Sequence, residues 1–160
     1  MAEQSGHVQV NLRRALSVVA MVAPERQFDF WVGEWDVFDP AGRHVGRSRI
    51  DLIPGGRVVL ENWTGDGGVV GTSTNFFDAL SGHCHQVWVD ALGGVLRFEG
   101  QFIDGALRYT GETPLPDGAR QLERLTFTPV EGGRVHQFWE DLDRRGPLVR
   151  VHPDHHTPRT

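Results

Sequence analysis

The sequence lacks the features that mark several common classes of protein. Its 160 residues include one cysteine, Cys84, so an intramolecular disulfide and a zinc site built from four cysteines are excluded. No apolar run reaches the ~18 residues of a transmembrane helix, and the net charge of -5 provides no basic surface for nucleic acid. A Gly-x-Ser-x-Gly nucleophile elbow and a phosphate-binding glycine loop are also missing. Neither a membrane nor a nucleic acid is therefore predicted as a partner.

Glycine and proline are abundant instead, and they are spread along the whole chain. From residue 28 onward, clusters rich in Gly, Asp and Pro separate short runs in which apolar and polar residues alternate. The run at 96–102 alternates cleanly, and Asp104-Gly105 after it is the strongest hairpin signal. The pattern predicts an all-β fold, an antiparallel meander β-barrel of about ten strands that resists edge pairing by closure. Helix is expected at most within residues 11–22.

The predicted barrel domain occupies residues 28–152. Residues 153–160 are polar and are predicted to form a flexible tail. Residues 1–27 form an N-terminal extension for which a short helix, a disordered segment and a weak signal peptide stay open. The signal-like feature is Arg13-Arg14 followed by a short apolar run. We expect a cytoplasmic protein, with export as the alternative if the extension acts as a signal peptide.

Residues 28–37 read FDFWVGEWDV and open the predicted first strand. They resemble the first strand of an uncharacterised bacterial family, and residues 61–64, 71–78 and 86–90 resemble its later blocks. The likeness extends over residues 28–141. The family is similar in outline to calycin-type barrels, the group that contains lipocalins and fatty-acid-binding proteins. Because the family has no settled activity, the resemblance implies a fold more than a function.

Residues 33–35, Gly-Glu-Trp, stand where calycin-type barrels carry a Gly-x-Trp in the first strand. The resemblance implies that Trp35 closes the base of the barrel. It also implies that an arginine from a late strand, Arg134 or Arg150, stacks on this ring through cation–π attraction. The sequence after Asp141 departs from the family pattern, so closure of the barrel is the least supported part of the resemblance.

Two segments carry a similar pattern of aromatic and polar residues: residues 85–90 read HQVWVD and residues 136–141 read HQFWED. Because alternate residues of a strand share a face, the Gln, Trp and Asp of each segment point the same way. Polar groups that converge among large rings predict a small-molecule cavity. The alternative is an outward-facing set, with Val87, Val89 and Phe138 in the core. The predicted ligand-binding residues are Trp35, Trp63, Asn75, Phe77, Gln86, Trp88, Gln137 and Trp139.

A carboxylate held among aromatic rings is a candidate acid or base, because burial raises its pKa. The candidates for catalysis are Glu61, Asp90 and Asp141. We expect the barrel to bind a small, largely apolar organic ligand in its Trp-rich cavity. The alternative is an enzyme of small-molecule, natural-product-like metabolism that uses this cavity for acid/base isomerisation, cyclisation or dehydration.

The histidines offer a further hypothesis, in which haem is bound through one axial ring from His136 or His152. His83 and His85 share a strand face, but no spacing fixes a third ligand, so no metal site is predicted. Cys84 has no base on its own face, and a thiolate nucleophile is not expected. We predict no cofactor, and the sequence leaves open whether the chain forms a homo-oligomer.

Overall fold

A computed structural model of the chain describes residues 22–142 and 150–159, with the backbone alone for residues 150–155. Ten antiparallel strands form one closed barrel, in which each strand pairs with its sequence neighbour and the last pairs with the first. The predicted all-β meander barrel is therefore confirmed. The strands are β1 (Gly33–Phe38), β2 (His44–Leu52), β3 (Val58–Gly65), β4 (Val70–Asp78), β5 (His83–Asp90), β6 (Val95–Ile103), β7 (Ala106–Pro114), β8 (Arg120–Val130), β9 (Arg134–Leu142) and β10 (Arg150–Pro158).

The turns between the described strands fall at the predicted glycine and aspartate clusters. β6 and β7 are joined by Asp104-Gly105, where φ is 52° and 75°. Two consecutive positive φ values define a turn whose twist matches that of the flanking strands, and they require residues that tolerate the left-handed region. Between β4 and β5, the Asp78 carboxylate accepts the Leu80 backbone N–H at 2.8 Å, which caps the turn locally. The Asp, Arg and Gly cluster at residues 143–146, where the same pattern predicts a turn, lies outside the described residues.

Alternation along the strands sorts the side chains between the barrel interior and the outside. In β8, Glu123, Leu125 and Phe127 are buried, whereas Arg124 is exposed. A slip of one residue would bring the charged face inside, so burial fixes the register of each pair. Besides the polar residues described below, the interior holds a hydrophobic core of Phe28, Trp31, Trp35, Val37, Ile50, Val59, Cys84, Phe98, Leu107, Tyr109, Leu125, Phe127 and Val135.

The segment before β1 closes one end of the barrel. Two short 3₁₀ turns, Pro24–Arg26 and Asp29–Trp31, bring Phe28 and Trp31 into the core, where each is 1% exposed. The Trp31 ring packs on Phe127 with centroids 4.7 Å apart. The expectation that residues 28–32 begin the first strand is therefore wrong. A 3₁₀ turn places side chains three residues apart on the same side, so the rings of Phe28 and Trp31 both enter the core. In a strand, the same two residues would point to opposite faces.

The ring of Trp35 lies above this segment at the base of the barrel. Its indole N–H donates to the Trp31 carbonyl at 2.8 Å, and the ring meets His156 edge-on at 6.0 Å. Arg134, one of the two arginines expected to stack on Trp35, is exposed and donates instead to the Glu131 carbonyl in the 3₁₀ turn Glu131–Gly133. The side chain of Arg150 lies outside the described residues.

The closing strand β10 extends beyond the boundary expected at residue 152. It pairs with β9 from Arg150 to His156 and with β1 from His155 to Pro158. Most of the predicted tail is therefore part of the barrel wall, and His156 is a buried core residue, 1% exposed. Polar composition indicated a tail because the apolar surface that covers this strand comes from other strands. Among the described residues, no helix is long and apolar enough to cross a membrane.

Candidate functional site

A cavity of about 590 Å³ occupies the end of the barrel opposite the 3₁₀ segment. Val69, in the turn between β3 and β4, belongs to its wall and is 56% exposed, so this end meets solvent. The cavity combines aromatic walls with several polar groups, as small-molecule sites do. Its aromatic lining residues are Trp63, Trp88, Phe98, Phe127 and Trp139. Its polar lining residues are Glu61, Gln86, Asp90, Glu123, Gln137 and Asp141.

Glycines on neighbouring strands allow two of the indoles to lie flat against the barrel wall. A methyl group at Gly46 would lie 2.6 Å from the ring of Trp63, and a methyl group at Gly71 would overlap the ring of Trp88. Real carbon atoms do not approach so closely, so each ring occupies the space that a side chain would otherwise fill. Because Gly46 and Gly71 have no side chains, the two indoles lie close to the wall, which sets the width of the cavity.

Glu61 lies on the inner face of β3 at the end of a chain of hydrogen bonds. The hydroxyls of Ser48 and Ser73 donate to its two oxygens at 2.8 Å and 2.7 Å. Asn75 donates to Ser73 at 3.0 Å, and Gln86 donates to Asn75 at 2.9 Å. Burial raises the pKa of the Glu61 carboxyl, against the opposing effect of the two serine hydroxyls. These hydrogen bonds hold the Gln86 side chain in one orientation. They connect it with a carboxyl group that retains its proton to a higher pH than usual.

Glu123 on β8 and Asp141 on β9 lie directly opposite each other and form a second acidic group. Burial raises the pKa of Glu123, and the nearby Asp141 carboxylate raises it further, while the Thr113 hydroxyl, which donates to it, has the opposite effect. The Trp139 indole N–H lies near this carboxylate and also lowers its pKa, yet it is buried without a hydrogen bond of good geometry. Glu123 and Asp141 therefore place two carboxylates together at the cavity wall.

Asp90 has a structural role that the sequence analysis did not assign. One of its carboxylate oxygens accepts the backbone N–H groups of Leu92 and Gly94, at 2.8 Å and 2.9 Å. These bonds close the turn between β5 and β6. Asp90 still borders the cavity, but a turn cap held by two backbone donors is poorly placed to exchange protons.

The structure brings most of the predicted site residues together. Eight line the cavity: Glu61, Trp63, Gln86, Trp88, Asp90, Gln137, Trp139 and Asp141. Trp35 lies at the closed base, Asn75 is covered within the hydrogen-bond chain, and Phe77 packs against the core outside the cavity lining. Val89 is 45% exposed, so the alternative with Val87, Val89 and Phe138 in the core is wrong. That these residues bind a ligand or catalyse a reaction stays a prediction.

Sequence reasoning missed Glu123, the one cavity carboxylate on β8. It shares a face with the apolar Leu125 and Phe127, so alternation along the strand could have found it. It also missed His156, whose ring nitrogen hydrogen-bonds the Gln137 amide oxygen at 2.7 Å. This bond orients Gln137 toward the cavity with its amide N–H groups.

The histidines considered for haem or metal binding do not meet in the cavity. His136 is adjacent to Gln137 and faces outward, near the ring of Phe138. His83 lies 2.8 Å from Glu99 on the outer face, and His85 stacks on Phe76 there. His136 does not line the cavity, and the side chain of His152 lies outside the described residues, so haem binding through either ring stays a prediction. Among the residues that the structure describes, no group of three or more His, Cys, Asp or Glu side chains could hold a metal ion.

Cys84 belongs to the buried core at the closed end of the barrel. Burial raises the pKa of its thiol to about 11. Burial also raises the pKa of Tyr109 well above its usual range, and the Tyr109 hydroxyl has no hydrogen-bond partner among the described residues. A covered thiol with a raised pKa serves here as a packing group.

The fold and the cavity together define a class: a closed ten-stranded antiparallel barrel with an aromatic interior and a buried carboxyl network. No protein-family model and no curated protein sequence matches the chain. The geometry of the cavity therefore carries the functional argument.

Proposed function

We propose that this protein binds a small, largely apolar organic molecule inside the barrel. The observation that carries the proposal is the cavity of about 590 Å³ whose walls are indole and phenyl rings. Drug-sized ligands occupy cavities of roughly 300–1,000 Å³ that combine apolar walls with a few fixed polar groups. The calycin-like likeness of residues 33–35 supports the same proposal, because barrels of that type hold ligands in their interiors.

The fixed polar groups would orient the ligand. Gln86 donates to Asn75 through its amide N–H, so its carbonyl oxygen is available as an acceptor. Gln137 accepts from His156 through its carbonyl oxygen, so its amide N–H groups are available as donors. A ligand with one donor and one acceptor at the spacing of these two amides would be held in a single orientation.

The test is binding of phenylnaphthylamine, a neutral dye whose fluorescence rises in apolar surroundings. We expect saturable binding to the wild type and loss of binding in Leu96→Trp, because Leu96 lines the cavity and an indole there fills part of it. Leu122→Trp is the matched control, since Leu122 is 37% exposed on the neighbouring part of the wall. Equal dye binding by both variants, each with an intact unfolding transition, would contradict the proposal.

A second candidate is an enzyme that transfers a proton to or from a substrate in the same cavity. The observation that favours it is the raised pKa of Glu61 and Glu123, both of which line the cavity. Carboxyl groups of this kind serve as general acids or bases near neutral pH. Isomerisation, cyclisation or dehydration would each need only such a group and an enclosing shape.

Proton abstraction can be probed with nitrobenzisoxazole, whose ring opens to a coloured cyanophenolate when a base removes its carbon-bound proton. A catalytic carboxylate predicts saturable turnover that falls in Glu123→Gln or Glu61→Gln while phenylnaphthylamine still binds. Turnover no faster than with free acetate, together with normal dye binding, would leave ligand binding as the function.

A further inference from the structure

The interior of the cavity carries acidic groups with no compensating base among the described residues. Four carboxyl groups line it: Glu61, Asp90, Glu123 and Asp141. The sequence contains no lysine, and no arginine and no histidine belongs to the described lining. Described arginines on the strands, such as Arg47, Arg97, Arg108 and Arg124, are exposed on the outer face.

Glu123 is the least exposed of these four carboxyl groups, at 6%. Thr113 donates to one of its oxygens, and the Trp139 indole N–H lies near the carboxylate. Asp141, directly opposite on β9, brings a second negative charge to the same place and raises the pKa of Glu123. A cation between the two carboxylates would offset their mutual repulsion.

The aromatic walls provide a second requirement that a cation would meet. Trp139 lies between Gln137 and Asp141 on the inner face of β9, and its ring is part of the cavity wall. The face of an indole attracts a cation, and the attraction is strongest where water is excluded. A site with carboxylates, indoles and no described base attracts positive charge and repels negative charge.

We propose that the ligand of this cavity is an organic cation, a protonated amine attached to an apolar body, with its ammonium group between Glu123 and Asp141 beside Trp139. This inference rests on the proposed function, which it extends by naming the charge of the ligand. The ammonium N–H groups would donate to the Glu123 and Asp141 carboxylates, and the apolar body would fill the space against Trp63 and Trp88. An ammonium group fits better than a metal ion, because the described residues offer no three-ligand cluster.

Three probes with one naphthalene body test the charge directly. Naphthylmethylamine is protonated at neutral pH, naphthalenemethanol is its neutral analogue of equal shape, and naphthoate is the anion. By calorimetry or tryptophan quenching, we expect the amine to bind roughly tenfold to a hundredfold more tightly than the alcohol, from charge-assisted hydrogen bonds and cation–π contact. Naphthoate should bind more weakly than either.

The outcomes separate this inference from the proposed function. If the alcohol binds as tightly as the amine, or naphthoate binds best, the charge inference is wrong while the cavity still binds apolar molecules. If none of the three probes binds and phenylnaphthylamine does not bind either, the proposed function itself fails.

Variants locate the ammonium group. Glu123→Gln should bring the ratio of amine to alcohol affinity close to one while alcohol binding is kept, which also shows that the variant is folded. Asp141→Asn, at the open end of the barrel, should lower the same ratio and serves if Glu123→Gln does not fold. Glu131→Gln removes an exposed carboxylate and should leave the ratio unchanged. An equal loss of amine and alcohol affinity in both cavity variants would overturn the assignment.

Discussion

Replacing Glu61 by glutamine should change the way in which stability depends on pH. Burial raises the pKa of this carboxyl group above its ordinary value of 4.5. Between 4.5 and the higher pKa of the folded state, the folded chain keeps a proton that the unfolded chain has released. Stability from this group is therefore complete at low pH and is lost as pH rises through the folded pKa. Glutamine cannot ionise, so Glu61→Gln removes this loss.

The size of the effect follows from the number of protons involved. A single group binds at most one extra proton in the folded state, so the free energy of unfolding falls by up to about 1.4 kcal/mol per pH unit within the window. The hydroxyls of Ser48 and Ser73 limit the window, because they stabilise the charged form. Glutamine has the shape of the protonated acid and can retain one hydroxyl donor, so the two proteins should be of similar stability at the acidic end.

The measurement is urea unfolding at a series of pH values from about 4 to 8, for the wild type, Glu61→Gln and Glu131→Gln. We expect Glu61→Gln to gain on the wild type as pH rises and the gap then to level off above the folded pKa. Glu123 is present in all three proteins, so its own titration cancels in the differences. Parallel stability curves for the wild type and Glu61→Gln would refute the reasoning, since they would mean that Glu61 is solvated.

Three further predictions concern packing. Gly71→Ala should displace the Trp88 ring, lower the free energy of unfolding by about 1–3 kcal/mol and weaken dye binding. Gly67→Ala is the control and should change neither stability nor dye binding, because nothing lies within 4 Å of the new methyl group. Cys84 should fail to react with Ellman's reagent at mildly alkaline pH until the protein unfolds, because its pKa is about 11; rapid reaction in the native state would contradict its burial. Trp31→Ala should cost about 3–5 kcal/mol by urea unfolding, and a loss well below this would mean that the 3₁₀ segment does not close the barrel.

The barrel could be predicted because its determinants are local. Alternation within β6 and the left-handed turn at Asp104-Gly105 are visible within a few residues of sequence. The shared face of Gln and Trp in the two HQ-x-W segments could also be predicted. Alternate residues of any strand share a face, which places Gln86 with Trp88 and Gln137 with Trp139 whatever the tertiary structure. The choice between inside and outside followed from the size of the rings.

The two predictions that were wrong, a first strand that begins at residue 28 and a tail after residue 152, depend on contacts between residues distant in the sequence. Residues 28–32 have the aromatic content of a strand, but the end of the barrel opposite the cavity can accept Phe28 and Trp31 beside Phe127 only if the chain turns there. β10 looks like a polar tail because β1, one of its two partner strands, lies more than a hundred residues earlier in the sequence. Closure of a barrel is a long-range property that no local pattern contains.

The polar interior itself is evidence for a binding role. A barrel of this size would be more stable with apolar side chains in place of the Ser48, Glu61, Ser73, Asn75 and Gln86 chain, because two hydroxyls and two amides are desolvated to hold one carboxyl group whose pKa burial raises. The closed end of the same barrel shows that the sequence can pack such a core, around Trp31 and its neighbours. All of the buried acidic groups among the described residues, Glu61 and Glu123, line the cavity, whereas the buried side chains packed around Trp31 carry no carboxyl group. Departures from a well-packed apolar interior that cluster around one cavity are expected of a site maintained for a ligand rather than for the fold.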